Sequence, residues 1–247
     1  MIPSRPAAAS SAPAFSPSAA ELIAWARTEG RNLLEPEAYQ LLTSYGVPVP
    51  PHRWVRTPEE AAAAATQLGF PLALKVVSPD VLHKSDVGGV VLNLTTPADV
   101  KDAFPRVETA VKQAYPQARL DGILISRQEP PGTEVVVGTL RDPQFGPAVM
   151  FGLGGIFIEI LHDVSFRLAP VTPEDAEEMM REIRTFPILA GSRGRPAADL
   201  RAIRNLICAV SQLAVDLPAV SEMDLNPVIV RPTGLTVVDA RIMLRPD

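Results

Sequence analysis

Residues 70–91, FPLALKVVSPDVLHKSDVGGVV, decide the fold, because a strand, a chemically rich loop and a second strand follow one another directly. The apolar run at 70–77 has the length of a buried strand, and VVLNL at 90–94 predicts its neighbour. Lys75 lies inside the first strand, where an unpaired lysine is rarely tolerated. We therefore expect its ammonium group either to extend to solvent from the strand end or to face an anionic ligand.

The loop at 78–89 carries groups that suit phosphate chemistry. Gly88 and Gly89 permit positive φ angles and a close approach of the backbone to a phosphate. The neutral imidazole of His83 is a competent nucleophile toward a phosphoryl group, and Asp80 or Asp86 is placed to orient it. A loop histidine by itself is more often an ordinary surface side chain, so the decision depends on residues elsewhere in the chain.

Acidic residues cluster near the end of the chain, in SEMDLNPVIV at 221–230 and VVDARI at 237–242. Because side chains alternate along a strand, Glu222, Asp224 and Asn226 should share one face. A turn at 232–234 predicts a hairpin that brings Asp239 beside them. Oxygen ligands without histidine or cysteine favour Mg²⁺, which usually bridges substrate phosphates. The alternative is a solvated acidic edge, since Asn-Pro is also an ordinary turn signal.

Two further features carry less information. Glu134 begins a strand directly after PPGT and is placed to accept hydrogen bonds from ribose hydroxyls. The glycine-rich run at 150–160, MFGLGGIFIEI, matches neither a phosphate-binding P-loop nor a dinucleotide-binding fingerprint in its spacing.

The remaining patterns predict an α+β protein. Helical spacing and capping signals predict helices from Glu35, after Thr57, at about 98–114 and at about 197–215. Further strands are expected in DGILISRQ, EVVVGTL, AVMFGLGG and FRLAPV. We expect a disordered Ala/Ser/Pro leader at 1–18, N-terminal helices and a first lobe at 19–120, and a second lobe with the metal-binding hairpin at 121–247.

Composition excludes several classes of function. A net charge of −5 and a pI near 5.3 indicate binding to neither nucleic acid nor an anionic membrane. The single cysteine excludes an intramolecular disulfide framework, and no apolar run reaches the roughly 20 residues of a membrane span. With no signal peptide at the N-terminus, the expected location is cytoplasmic.

Taken together, these residues resemble the ATP-grasp (beta) subunit of ADP-forming acetate–CoA ligases and related acyl-CoA synthetases. The resemblance runs from about residue 34 to 242 and rests on the segments LKVVSPDVLHKSDVGGV, EVVVGTLRDPQFGPAVMFGLGGIFIEILHDVSFRLAP, RGRPAADL, SEMDLNPVIV and VVDARI. It implies an ATP-grasp fold, in which two α+β lobes clasp ATP or ADP with Mg²⁺. It also implies the reaction acyl-CoA + ADP + phosphate ⇌ acid + CoA + ATP.

The resemblance also implies a role for individual residues. His83 would relay the phosphoryl group on a mobile loop, with Asp224 facing the incoming phosphohistidine and Arg241 holding the transferred group. Lys75 would bind the nucleotide phosphates, and Asn226 and Asp239 would hold Mg²⁺. The remaining nucleotide contacts would come from a ribose-binding side chain and an adenine-lining strand: Glu134, Ile125, Ser126, Arg127 and Gln128.

A partner follows from what this sequence lacks. Nothing in it resembles a CoA-binding Rossmann domain or a first phosphohistidine site, so the resemblance implies a hetero-oligomer with a CoA-binding alpha subunit. Three alternatives stay open: a non-catalytic nucleotide-sensing module of a regulatory acyltransferase system, a direct acyl-phosphate route as in carboxylate–amine ligases, and a succinate–CoA ligase-like beta subunit. Against the last, succinate–CoA ligases have a basic glycine-rich segment in place of VLHKSDVGG.

Overall fold

The computed structural model describes residues 17–155, 158, 161–191, 194 and 196–246. Most of the predicted leader lies outside this part of the chain. Its last residue, Ser18, instead caps helix α1 (Ala19–Thr28), because its hydroxyl accepts a hydrogen bond from the Glu21 amide and its own amide donates to the Glu21 carboxylate. The predicted boundary at residue 18 therefore moves toward the N-terminus.

The smaller lobe is built on an antiparallel sheet. Among the described residues it has four strands in the order β1-β4-β2-β3, which are β1 (His52–Val55), β4 (Gly122–Arg127), β2 (Leu72–Val77) and β3 (Val90–Leu94). Helices α3 (Pro58–Leu68) and α4 (Pro97–Ala114) supply much of its core. Both helices begin as predicted, with Thr57 and Thr96 at the N-caps and a proline in the first turn.

The larger sheet carries the acidic segments. In the described ranges its order is β10-β8-β5-β6-β7, with β9 also paired to β8. The strands are β5 (Thr133–Asp142), β6 (Gly146–Leu153), β7 (Val164–Leu168), β8 (Val220–Val230), β9 (Leu235–Val237) and β10 (Ala240–Leu244). The predicted hairpin is thus one long strand facing two short ones, and Asp239 lies in the break between them.

Helices cover one face of this larger sheet. They are α1, α2 (Glu35–Ser44), α5 (Pro173–Glu182), the short α6 (Phe186–Leu189) and α7 (Leu200–Asp216). The predicted long helix is present as α7, and five residues at helical spacing form its buried apolar stripe: Ile203, Leu206, Ile207, Val210 and Leu213. No helix in the described ranges is long and apolar enough to cross a membrane.

The structure corrects the expected division of the chain at 120/121. Strand β4 pairs with β1 and β2, so it belongs to the smaller sheet and not to the second lobe. Helices α1 and α2 contribute Leu22, Tyr39 and Leu42 to the core of the larger sheet and not to the first lobe. The N-terminal helices therefore pack against the C-terminal strands, although strand β2 of the smaller sheet lies between these two segments in the sequence.

Candidate functional site

The predicted catalytic and metal residues meet at one cavity of about 460 Å³ between the two sheets. Its wall is formed by the start of α2, the end of β2 with the loop that follows, and strands β8 and β10. Five residues named from the sequence line it: His83, Asp224, Asn226, Asp239 and Arg241. Segments more than a hundred positions apart in the chain thus supply one site.

His83 lies on an exposed turn that follows β2. No described residue accepts or donates a hydrogen bond at its ring, so the imidazole is free to face a ligand in the cavity. Of the two acids predicted to orient it, Asp80 does not line the cavity, and its carboxylate accepts a hydrogen bond from the Arg119 amide at 2.7 Å. Asp86 lines the same cavity as His83.

Gly88 and Gly89 shape this turn without lining the cavity. Gly88 ends a short 3₁₀ helix (Ser85–Val87) at a φ angle of +70°. The Gly89 amide donates to the Lys84 carbonyl at 2.7 Å, and a Cβ atom at Gly89 would lie 2.8 Å from that oxygen. The glycine pair therefore folds the turn back onto β2, and its role as a phosphate cradle stays a prediction.

Lys75 is buried, as expected for the interior of a strand, and its charge is paired. Its ammonium group lies 2.7 Å from Oε1 of Glu35 and also donates to the Val238 carbonyl. The same carbonyl accepts a hydrogen bond from the hydroxyl of buried Tyr39 at 2.7 Å. The structure thus favours neither the solvent-directed lysine nor a free cation, but a lysine held by an acid from the other lobe.

Glu35 is shared between two lysines. Its Oε2 atom lies 2.8 Å from the Lys84 ammonium group, which also lies 3.3 Å from Oδ1 of Asp239. Burial alone would raise the pKa of Glu35, but the charges and hydrogen bonds of Lys75 and Lys84 outweigh it and lower the pKa to about 2. Burial opposes the charge of Lys84 in the same way, yet the two carboxylates raise its pKa. Glu35 and Lys84 are therefore both charged at neutral pH.

A second cluster of charged side chains lies on strands β8 and β10. Arg241 pairs with Glu222 at 3.0 Å and lies 3.9 Å from Asp224, the residue it faces across the two strands. Burial raises the pKa of Asp224, with Asp239 and Glu222 adding to the rise and Arg241 opposing it. The Nε atom of Arg241 is buried without a hydrogen-bond partner among the described residues. A donor in this position suits an anionic oxygen.

Asn226 and Asp239 fit a hard divalent cation. Pro227 accepts the Val238 amide at 3.1 Å, so the Asn226 and Asp239 side chains flank a paired backbone and line the same cavity. The Lys84 ammonium group at Asp239 shows that this oxygen already attracts a cation. No group of three or more His, Cys, Asp or Glu suited to a metal occurs in the described ranges. Two oxygen donors agree with Mg²⁺, which keeps water and phosphate ligands.

The predicted nucleotide contacts on β4 and β5 lie outside this cavity. Ser126 lies on the Lys75 side of β4, since it is opposite Ala73. The prediction that Ile125 lines an adenine pocket is corrected, because its side chain packs in the core of the smaller lobe. Gln128 bonds to Asn93, and Arg127 and Glu134 are exposed. Apart from Ile125, their nucleotide contacts stay predictions.

The family follows from comparison with known proteins. The family model described as an ATP-grasp domain matches residues 25–244. The chain belongs to the ATP-grasp family. This ATP-grasp chain is 48% identical over 226 residues to the beta subunit of acetate–CoA ligase (ADP-forming) I from Pyrococcus furiosus, over 92% of this chain and 97% of that one.

Solved structures of the dinucleotide-forming acetyl-CoA synthetase 1 of Ca. Korarchaeum cryptofilum are also similar to the ATP-grasp chain. One, with coenzyme A, acetyl-CoA and a phosphorylated phosphohistidine segment in its site I orientation, gives a TM-score of 0.86 at 45% identity. Another, with coenzyme A and Mg-AMPPCP, has that segment pointing towards the nucleotide-binding site and gives 0.82 at 44% identity. Each covers 92% of this chain and 100% of the other.

Sequence reasoning missed two residues of the ATP-grasp site. The sequence pattern indicates Glu35 only as the start of a helix, whereas its carboxylate neutralises the ammonium group of Lys75. The pattern likewise assigns no role to Lys84, although this residue directly follows His83. An unpaired lysine within a predicted buried strand was the available signal, since it required an acid from elsewhere.

Proposed function

We propose that this chain is the nucleotide-binding catalytic subunit of an ADP-forming acyl-CoA synthetase. It relays a phosphoryl group between a phosphohistidine on a partner subunit and ADP or ATP, with His83 as the carrier. The overall reaction is acyl-CoA + ADP + phosphate ⇌ acid + CoA + ATP. The similarity to the Pyrococcus beta subunit supports this class of reaction.

The observation that carries the proposal is the placement of His83. The exposed imidazole lines one cavity with an unpaired arginine donor, the half-buried Asp224 carboxylate and two oxygen ligands suited to Mg²⁺. The histidine therefore shares one cavity with an anion-binding donor and with ligands for Mg²⁺, which are the kinds of group that phosphoryl transfer uses. A surface histidine without a function does not explain this convergence.

Each residue then has a specific task. Arg241 holds the oxygens of the transferred phosphoryl group through its free donor. Asp224 lines the same cavity as His83 and would face the imidazole, favouring its protonated form once the phosphoryl group has left. Asn226 and Asp239 would hold the metal. Lys75 is paired with Glu35 in this structure, so its contact with the nucleotide phosphates would require that ion pair to open. Bound Mg²⁺ supplies charge neutralisation and orientation of the phosphates.

A partner completes the reaction. Among the described residues that line the cavity, His83 is the only histidine. The similar Korarchaeum structures contain coenzyme A as well as the phosphohistidine segment. We therefore propose a hetero-oligomer with a CoA-binding alpha subunit. The two orientations of that segment in the Korarchaeum structures support a phosphohistidine segment that moves between the partner's site and the nucleotide.

A nucleotide sensor without catalysis is the competing function. It explains a metal site and a phosphate-binding lysine. It does not explain an imidazole that faces the same cavity or the arginine donor left unpaired beside it.

Phosphorylation of the carrier separates the two functions. The purified chain, alone and with its cognate partner, is incubated with γ-labelled ATP and Mg²⁺, and acid-labile, base-stable label is measured. Wild type should be labelled and His83→Asn should not. His162→Asn is the matched control, because His162 is exposed, lies outside the cavity and has a φ angle of +49° that asparagine tolerates. Absence of label in wild type with the partner present rejects the proposal, and equal label in His83→Asn excludes this carrier.

A further inference from the structure

We propose that Lys84 is a positioning residue that anchors the His83 turn, and that it competes with Mg²⁺ for Asp239. This inference rests on the proposed function, because it concerns how the phosphoryl carrier is held and released. It assigns a task to a side chain that the relay chemistry does not use.

The first argument is burial. His83 and its neighbours Leu82, Ser85 and Asp86 are exposed, so they add little contact that would hold the turn. The Lys84 side chain is only 14% exposed and reaches inward to two carboxylates. Val81 and Val87, at the two ends of this stretch, pack against the core of the smaller lobe, so Lys84 is the side chain that attaches the part between them.

The second argument is the pairing pattern. Glu35 gives one oxygen to Lys75 at 2.7 Å and the other to Lys84 at 2.8 Å. The two oxygens of Asp239 are likewise divided between the lysines, one lying 3.3 Å from Lys84 and the other 3.8 Å from Lys75. Two ammonium groups and two carboxylates thus form a closed set of zero net charge, which is how a largely buried charge cluster becomes tolerable.

The two lysines differ in what holds their backbones. Lys75 lies in the middle of β2, paired on both sides, so its position is set by the sheet. Lys84 lies in a turn whose nearest backbone attachment is the Gly89 amide. A change at Asp239 therefore leaves Lys75 in place and acts on the Lys84 turn.

The third argument is the overlap of two cations at one carboxylate. Asp239 faces the cavity beside Asn226, so a divalent ion bound there takes the oxygen that Lys84 now contacts. Two cations on one carboxylate repel each other, and the Lys84 contact weakens. Of its two ion pairs, Lys84 then keeps only the one with Glu35, which Lys75 shares. Metal binding thereby loosens the carrier.

Linkage makes the inference reciprocal: if Mg²⁺ weakens the Lys84 contact, removal of the Lys84 charge must strengthen Mg²⁺ binding by the same factor. We expect Lys84→Met to tighten Mg²⁺-ADP binding about fivefold or more, measured by calorimetry, with little change for ADP alone. Lys84→Arg keeps the charge and should bind as wild type does. Lys101→Met is the matched control, since Lys101 is exposed on α4 and pairs only with Glu59 among the described residues.

Hydrogen exchange gives a readout that needs neither nucleotide nor turnover. In the metal-free chain, amides 82–89 should exchange faster in Lys84→Met than in wild type, Lys84→Arg or Lys101→Met, while those of β4 stay unchanged. In wild type the same amides should exchange faster with Mg²⁺-ADP than with ADP alone, a comparison that decides the matter if Lys84→Met does not fold.

Unchanged exchange at 82–89 in folded Lys84→Met overturns the anchor. Weaker Mg²⁺-ADP binding in that variant would make Lys84 a phosphate ligand and would overturn the competition. These outcomes are distinct from failure of the proposed function, which is recorded as absence of label on wild-type His83. The metal-free exchange experiment tests the anchor in either case.

Discussion

Glu35 and Lys75 form an ion pair of 2.7 Å that joins the two lobes. Glu35 begins α2, which packs in the core of the larger sheet, whereas Lys75 belongs to the smaller sheet. Both side chains are almost fully buried, so loss of one partner leaves a charge with little access to water. This contact links the stability of the protein to the geometry of its site.

Acid should remove the stabilisation that Glu35 provides. Its pKa is about 2 in the folded protein against an ordinary value of 4.5, so the unfolded chain binds the proton more readily. The contribution is complete above about pH 4.5 and is lost as the pH falls toward 2, and the difference in pKa corresponds to about 3 kcal/mol. We expect Glu35→Gln to lower the free energy of unfolding at pH 7 by about 3 kcal/mol or more.

Urea unfolding from pH 2.5 to 7 checks this expectation. The difference between wild type and Glu35→Gln should shrink below pH 4.5. Glu59→Gln serves as control, because Glu59 pairs with Lys101 at the surface and its removal should change stability little. A difference that is the same at both ends of the pH range contradicts the assignment.

Asp239→Ala should weaken binding of Mg²⁺-ADP while leaving the fold intact. Loss of one charged ligand corresponds to about tenfold or more in affinity, and binding of ADP without metal should change much less. Calorimetry with and without Mg²⁺ measures both. Asp86→Ala is the control, since Asp86 lines the same cavity without belonging to the predicted metal pair. Unchanged Mg²⁺-ADP affinity in Asp239→Ala would remove that residue from the metal site.

Arg241 should act on phosphoryl transfer more than on nucleotide affinity. Lysine keeps the charge but loses the planar fork and the buried Nε donor, so Arg241→Lys should restore only part of the activity that Arg241→Met loses. We expect the rate of His83 labelling to fall about tenfold to a hundredfold in Arg241→Lys. Arg245→Lys, at an exposed arginine, is the control. If His83 is labelled in Arg241→Lys at the wild-type rate, the planar guanidinium group is not required.

Gly89→Ala should displace the His83 turn. The new Cβ atom would lie 2.8 Å from the Lys84 carbonyl oxygen and 2.9 Å from Cγ1 of Val76, and the first of these is backbone that cannot rotate away. We expect a loss of about 1–3 kcal/mol in unfolding free energy together with slower labelling of His83. Gly46→Ala is the control, because its Cβ atom would contact nothing within 4 Å but its φ angle is +73°. It should lower the unfolding free energy without slowing the labelling of His83. Normal labelling in Gly89→Ala would show that the turn tolerates the shift.

Local patterns predicted most of the secondary structure. Thr57 caps the helix that its capping signal indicated, and alternation along β8 placed Asp224 and Asn226 on one cavity. These features depend on neighbours a few residues away, which are visible in a linear sequence. Sheet membership is different: β4 pairs with β1 and β2, and nothing in GILISR indicated that choice.

The side-chain direction of β4 was also undecided by pattern. Ile125 faces the helices of the smaller lobe and Ser126 the other side, because the register pairs Ile125 with Leu74 and Ser126 with Ala73. Its buried residues Ile123, Leu124 and Ile125 are all apolar, so this part of the strand shows no alternation from which its two faces could be told apart. The strands that pair with β4 decide which face of the sheet each of its side chains occupies.

By itself, the sequence determined the α+β class, the ATP-grasp resemblance, the loop that carries His83 and the Asn226–Asp239 pair, because each depends on short spacing or on a specific motif. Only the tertiary structure decided which acid neutralises Lys75 and what Lys84 contacts. Glu35 lies 40 positions from Lys75, and Asp239 lies 155 from Lys84. Charge pairing in a buried site acts through space, so the partners are chosen by the packing of two lobes and leave no periodic trace along the chain.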